Sequence, residues 1–112
     1  MQSGSCTETR SAPTFEVTIY IAGPLEIAKQ VCREFCFETG LCVTVEPTTF
    51  IYTGGEETGV RVGLINYPRF EKSPESIAEI ADQIASKLRL GLCQHSYSIV
   101  MPTVTIWRTW RK

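Results

Sequence analysis

The sequence predicts a two-layer α+β domain of ferredoxin-like βαββαβ order. An additional C-terminal β-strand extends an antiparallel sheet, and both helices lie on one face. Apolar residues alternate with period two in several short runs, and they recur at three- and four-residue spacing over two longer ones. The runs follow one another as strand, helix, strand, strand, helix, strand, strand, which is the split βαβ order plus one strand. Right-handed crossovers on such a sheet bring both helices to the same side. The other side is then bare unless a partner covers it.

Residues 1–13 are rich in Ser, Thr and Gly and carry no periodicity, so they read as a flexible tail before a single domain over 14–112. Phe15, Val17, Ile19 and Ile21 share one face of the first strand, with Glu16, Thr18 and Tyr20 on the other. Gly23-Pro24 ends it. From Leu25 to Thr39 the residues Leu25, Ala28, Val31, Cys32, Phe35 and Cys36 make one helical stripe, closed by Gly40 in the left-handed conformation. Leu41–Glu46 alternates again, and Pro47 marks a bulge or a sheet edge before Thr49–Tyr52 continues. The glycines of Thr53–Gly59 suit a hairpin loop. Val60, Val62 and Leu64 form the inner face of a third strand running to Tyr67. Ser73-Pro74-Glu75 is a strong helix start, and Ile77, Ile80, Ala81, Ile84 and Leu88 give the apolar stripe up to a cap at Gly91. Ser96–Met101 and Thr103–Trp110, divided by Pro102, close the chain as a terminal hairpin.

With 112 residues the chain suits one domain, and 43% hydrophobic residues supply a core. Eleven Lys+Arg against 12 Asp+Glu leave a net charge of −1, which disfavours general nucleic-acid binding. No run approaches the roughly 20 apolar residues that span a bilayer, and residues 1–10 lack the apolar stretch of a secretion signal. A cytoplasmic location with reduced thiols is expected, the more so because the cysteines number 5, which leaves one over in any disulfide set.

Individual residues point weakly to chemistry. Cys32 and Cys36 lie on the apolar stripe and Cys42 follows the helix, a spacing that fits core thiols better than the paired Cys-x₂₋₄-Cys of structural zinc sites. No metal or other cofactor is expected. His95, the only histidine, stands between a helix end and a strand with no marked nucleophile beside it. Glu16 and Glu46 fall on strand faces opposite their apolar neighbours, where they would point to the bare sheet side with Tyr20, Thr18 and Thr44. Gly54, Gly55 and Gly59 join two strands, whereas a phosphate loop opens a helix. The run Thr18–Leu25 resembles the opening strand and turn of nucleoside 2-deoxyribosyltransferases. That family's acidic motif has no counterpart here and its sheet is parallel, so neither fold nor activity is carried over.

The remaining signal is aromatic and cationic: Tyr52, Tyr67 and Arg69, then Trp107, Arg108 and Trp110 near the end. Trp, Tyr and Arg dominate interface hot spots. Alternation sends Thr105, Trp107 and Thr109 to one side of the last strand and Val104, Ile106, Arg108 and Trp110 to the other. The expected function is a binding or assembly module, dimerising through the open sheet face or the last strand, with a small molecule or a protein as partner. The competing expectation is a small acid–base enzyme using Glu16, Glu46, Tyr20 or His95 in an open-face pocket. A nucleic-acid-binding regulator is the weaker third.

Overall fold

A computed structural model describes residues 4–112. Its elements are β1 (Val17–Ala22), α1 (Leu25–Thr39), β2 (Thr44–Tyr52), β3 (Gly55–Leu64), a 3-10 turn (Pro68–Phe70), α2 (Pro74–Gly91), β4 (Ser96–Val100) and β5 (Thr105–Thr109). All ladders of the five-stranded sheet are antiparallel, in the order β2-β3-β1-β4-β5. This is the ferredoxin-like arrangement, with β5 added beyond β4 as a new edge.

The helices cover one face, α1 over β2 and β3 and α2 over β1 and β4. Val17, Ile19 and Ile21 of β1, Val60, Val62 and Leu64 of β3, and Tyr97 and Ile99 of β4 meet Ala28, Cys32 and Phe35 of α1 and the Ile77–Leu88 stripe of α2. Each strand therefore buries alternate residues, and the other set faces away from the helices.

Several local expectations are corrected. The hairpin loop shrinks to Thr53-Gly54, because the ladder pairs Glu56 with Ile51 and Glu57 with Phe50; Gly54 takes φ 87° and allows the tight turn. Leu41–Val43 precede β2, and Pro47 sits in register opposite Val60, on an edge strand where its missing N–H is tolerated. The third strand stops at Leu64, three residues before Tyr67. Gly91 is the last helical residue of α2, and the left-handed position falls on Cys93, at φ 56°. Gly91 instead lets the helices approach: a Cβ there would lie 2.7 Å from Val31 Cγ2. Ser73 caps α2 as expected, its Oγ accepting from Ser76 N at 3.1 Å.

In the predicted tail, residues 4–16 have no regular structure, and Asn66 ties Pro13 down by donating from Nδ2 to its carbonyl at 2.9 Å. Met1–Ser3, the start of that tail, lie outside the described residues. No helix among the described residues is long and apolar enough to cross a membrane.

Candidate functional site

Residues directly opposite in an antiparallel ladder project to the same side. Glu46 pairs with Arg61, Arg61 with Tyr20, Tyr20 with Ser98, and Ser98 with Trp107. One row therefore crosses all five strands on the helix-free face: carboxylate, guanidinium, phenol, hydroxyl, indole. Trp107 is 61% exposed, a large apolar area for a residue with no core beneath it.

The row is internally organised. Arg61 stacks over the Tyr20 ring with its guanidinium carbon 5.4 Å from the centroid, and its Nη1 lies 4.0 Å from Glu46 Oε1. Arg61 Nε is buried without a hydrogen-bond partner. Phe50 meets Tyr20 edge-on at 6.5 Å. Gly59 and Gly63 flank Arg61 along β3 and admit neighbouring side chains: a Cβ on Gly59 would strike the edge of the Phe50 ring and lie 2.9 Å from Ile21 O, and one on Gly63 would strike Thr44.

Above the row, β1 leaves the sheet at Gly23-Pro24, while the chain before β4 and after β5 stays paired, Trp110 N donating to His95 O at 2.6 Å. The departure opens a notch between β3 and β4. A depression of about 200 Å³ occupies it, walled by Tyr20, Phe50 and Glu57 on one side and by Ser98, Trp107 and Arg111 on the other.

The other sequence candidates separate. Glu16 is on the open-face side at the far end of β1, beside Thr18 and Met101. Tyr52 is exposed at the tip of the β2–β3 hairpin. Tyr67 and Arg69 belong to the segment after β3. Arg108 and Trp110 turn to the helix side: Arg108 Nε donates to Asp82 Oδ1 at 2.9 Å, Tyr97 Oη donates to the same oxygen at 3.1 Å, and the Trp110 ring lies under the Arg89 guanidinium at 4.0 Å. Those contacts fasten the terminal hairpin to α2.

A second cavity, about 160 Å³, lies at the opposite end of the helix layer among Leu41, Leu64, Ile65, Phe70, Ile77 and Tyr67. Its polar rim is sparse; the Cys42 thiol donates to Tyr67 Oη at 3.4 Å. An apolar cavity of this size can accept a small apolar guest. Its one charged lining residue is Lys72, so it lacks the opposed charges of the sheet face. The thiols behave as packing groups, since burial, with Cys36 adding to it, pushes Cys32 up to about 12, and burial also raises Cys36. Among the described residues, no His, Cys, Asp and Glu side chains cluster as a metal site.

Sequence reasoning thus placed Tyr20 and Glu46 on the open face, put Trp107 and Trp110 on opposite sides of the last strand without assigning either to that face, and missed Arg61, Phe50, Ser98, Glu57 and Arg111. Arg61 was accessible from the Val60, Val62, Leu64 alternation, which sends the residue between to the other side. Glu57 was hidden by reading its segment as loop.

No protein-family model matches the chain, and no curated protein matches it in sequence. Among solved structures, it is similar to a phage SAM lyase in its apo state, with a TM-score of 0.76 at 16% identity over 96% of this chain and 100% of that one. It is also similar to a phage SAM lyase in complex with S-methyl-5'-thioadenosine, with a TM-score of 0.67 at 14% identity over the same shares of the two chains, 96% and 100%. At these identities the likeness extends to the fold: a ferredoxin-like sheet of the type found in phage SAM lyase.

Proposed function

We propose that this chain is a self-associating ligand-binding domain whose open sheet face holds an adenosine-bearing sulfur compound against a second copy. The observation that carries the reading is the aromatic row and notch on the helix-free face. Tyr20, Phe50 and Trp107 offer π-faces to a purine or to a sulfonium cation, and Glu46 adds negative charge to the same row. The full-length overlap with a phage SAM lyase supports the ligand class, because one such structure carries S-methyl-5'-thioadenosine.

The second copy has a physical motive. The notch, at about 200 Å³, is smaller than the roughly 300–1,000 Å³ of ordinary ligand pockets and open on one side. A partner subunit would supply the missing wall. Trp107 and the hairpin-tip residues Ile51 and Tyr52 provide exposed apolar area for such a contact, and the free edge of β5 provides backbone donors and acceptors.

A second reading makes the same face catalytic, and the overlap with a lyase favours it over other enzyme classes. Releasing a thioether from a sulfonium breaks one C–S bond and leaves its electron pair on sulfur, while a carboxylate such as Glu46 takes a proton from the adjacent carbon and that C–H pair forms a C=C bond. Calorimetric titration with S-methyl-5'-thioadenosine tests the binding reading, and mass spectrometry of a SAM incubation tests the catalytic one. Binding together with dimers or larger assemblies in light scattering is expected. A strict monomer that binds neither compound overturns the proposal.

A further inference from the structure

We propose that the notch beside the aromatic row is a receptor for an α-amino-acid group, with Glu57 taking the ammonium and Arg111 the carboxylate. The inference rests on the open-face reading and deepens it: it names the ligand end that S-methyl-5'-thioadenosine lacks and that S-adenosylmethionine possesses.

The ladder geometry makes the case. Extending the β1–β3 and β1–β4 registers past Ala22 puts Pro24 level with Glu57 on one side and Gln94 on the other, but Pro24 has already turned away to cap α1. The β4–β5 register continued two residues beyond its last pair, Ser96 with Thr109, sets Arg111 opposite Gln94. Glu57 thus lines one bank of a missing strand position, and Arg111 stands one strand behind Gln94 on the other. The backbones of Glu57 and Arg111 are three interstrand spacings apart, about 14 Å. That span is too wide for the two side chains to pair directly and suits a small zwitterion between them.

Three further observations fit. Neither Glu57 nor Arg111 makes an ion pair among the described residues, although both wall the same depression. The floor between them carries Ser96, Ser98 and the Gln94 amide, neutral donors and acceptors able to complete the shells of an ammonium and a carboxylate. Arg111 is also held in place, its backbone N donating to Thr109 Oγ1 at 3.1 Å while Trp110 is pinned to His95. A guanidinium on a fixed strand end grips a carboxylate with two parallel hydrogen bonds. With the amino-acid group seated there, the sulfur of a sulfonium ligand would lie toward Tyr20 and Trp107.

The test uses the full chain and four probes: S-methyl-5'-thioadenosine, S-adenosylhomocysteine, L-methionine and 3-(methylthio)propylamine, which lacks the carboxylate. S-adenosylhomocysteine is expected to bind at least about tenfold more tightly than S-methyl-5'-thioadenosine, the worth of one charge-assisted contact. Glu57→Gln and Arg111→Gln should each remove that advantage and leave the thioadenosine affinity unchanged. L-Methionine should shift the backbone amide resonances of Ser96 and Ser98 and the Gln94 side chain in the wild type, and the propylamine should not. Equal affinity for the two nucleosides, or variants that weaken both alike, overturns the amino-acid receptor while leaving the open-face reading standing. Failure of both nucleosides with a clear methionine response does the reverse. Methionine without effect on those resonances sinks the inference whatever the nucleosides do.

Discussion

Replacing Gly59 by alanine tests whether the open face is as tightly organised as its register implies. A glycine inside a strand normally weakens it, so Gly→Ala at an unobstructed strand site gains about 0.5–1 kcal/mol. Here the added methyl would strike the Phe50 ring edge at Cε2 and Cδ2, 2.7 Å from the latter, and lie 2.9 Å from the Ile21 carbonyl oxygen. Overpacking of this kind costs about 1–3 kcal/mol. Displacing Phe50 also loosens its edge contact with Tyr20, worth about 1 kcal/mol. Set against the propensity gain, the net loss is about 1–3.5 kcal/mol, or a fall in Tm of about 4–14 °C at about 4 °C per kcal/mol for a domain of this size. The assay is thermal unfolding by circular dichroism on Gly59→Ala, Phe50→Ala and the double variant. In the Phe50→Ala background the alanine meets only the Ile21 carbonyl, so its penalty should fall by about half. A Gly59→Ala protein as stable as the wild type, or an undiminished penalty in the double variant, refutes the packing described for this face.

Cys93→Gly should raise stability by about 0.5–1 kcal/mol, because Cys93 holds the left-handed φ of 56° that glycine adopts without a Cβ penalty; chemical denaturation would show it. Asp82→Ala should lower stability by about 1 kcal/mol, since it removes the shared acceptor of Tyr97 and Arg108 at a half-exposed site, and it should speed hydrogen exchange in β5. A thiol reagent should modify Cys6, Cys42 and Cys93 in the native protein and reach Cys32 only on unfolding. The Cys32 thiol is raised from 9.0 to about 12, and Tyr97 is also raised by burial with Asp82 beside it. The stability these groups contribute is complete below pH 9 and declines as pH climbs toward 12, where the unfolded chain ionises first. A urea midpoint that stays flat across that alkaline range would contradict the burial of Cys32.

Most of the architecture was readable because each element carried its own period and punctuation. The α1 stripe from Leu25 to Phe35 with Gly40 after it, and Ser73-Pro74 ahead of α2, are local signals that tertiary contacts reinforced. The errors fell where a glycine had two possible meanings. Gly55 and Gly59 looked like loop residues, yet they lie within β3, and Gly59 is there because Phe50 lies over it. Gly91 looked like a helix cap, yet its small size serves Val31 on the other helix. Such steric reasons involve residues distant in sequence and leave no periodic trace. The site was half legible for the same cause. Alternation placed Tyr20 and Glu46 on the bare face and parted Trp107 from Trp110, but the alignment of Tyr20, Glu46 and Trp107 into one row depends on strand order and register, which pattern does not specify. Arg108 and Trp110 shared a composition with Trp107 and turned out to fasten the hairpin to α2.

The most direct test of the central claim is a map of amide and indole resonances during titration with S-methyl-5'-thioadenosine. The open-face account predicts shifts concentrated at Tyr20, Phe50, Arg61, Ser98 and the Trp107 indole, with little change around the Leu41, Ile65 and Phe70 cavity. Shifts centred on that cavity, or a spectrum unmoved by saturating ligand, would contradict it.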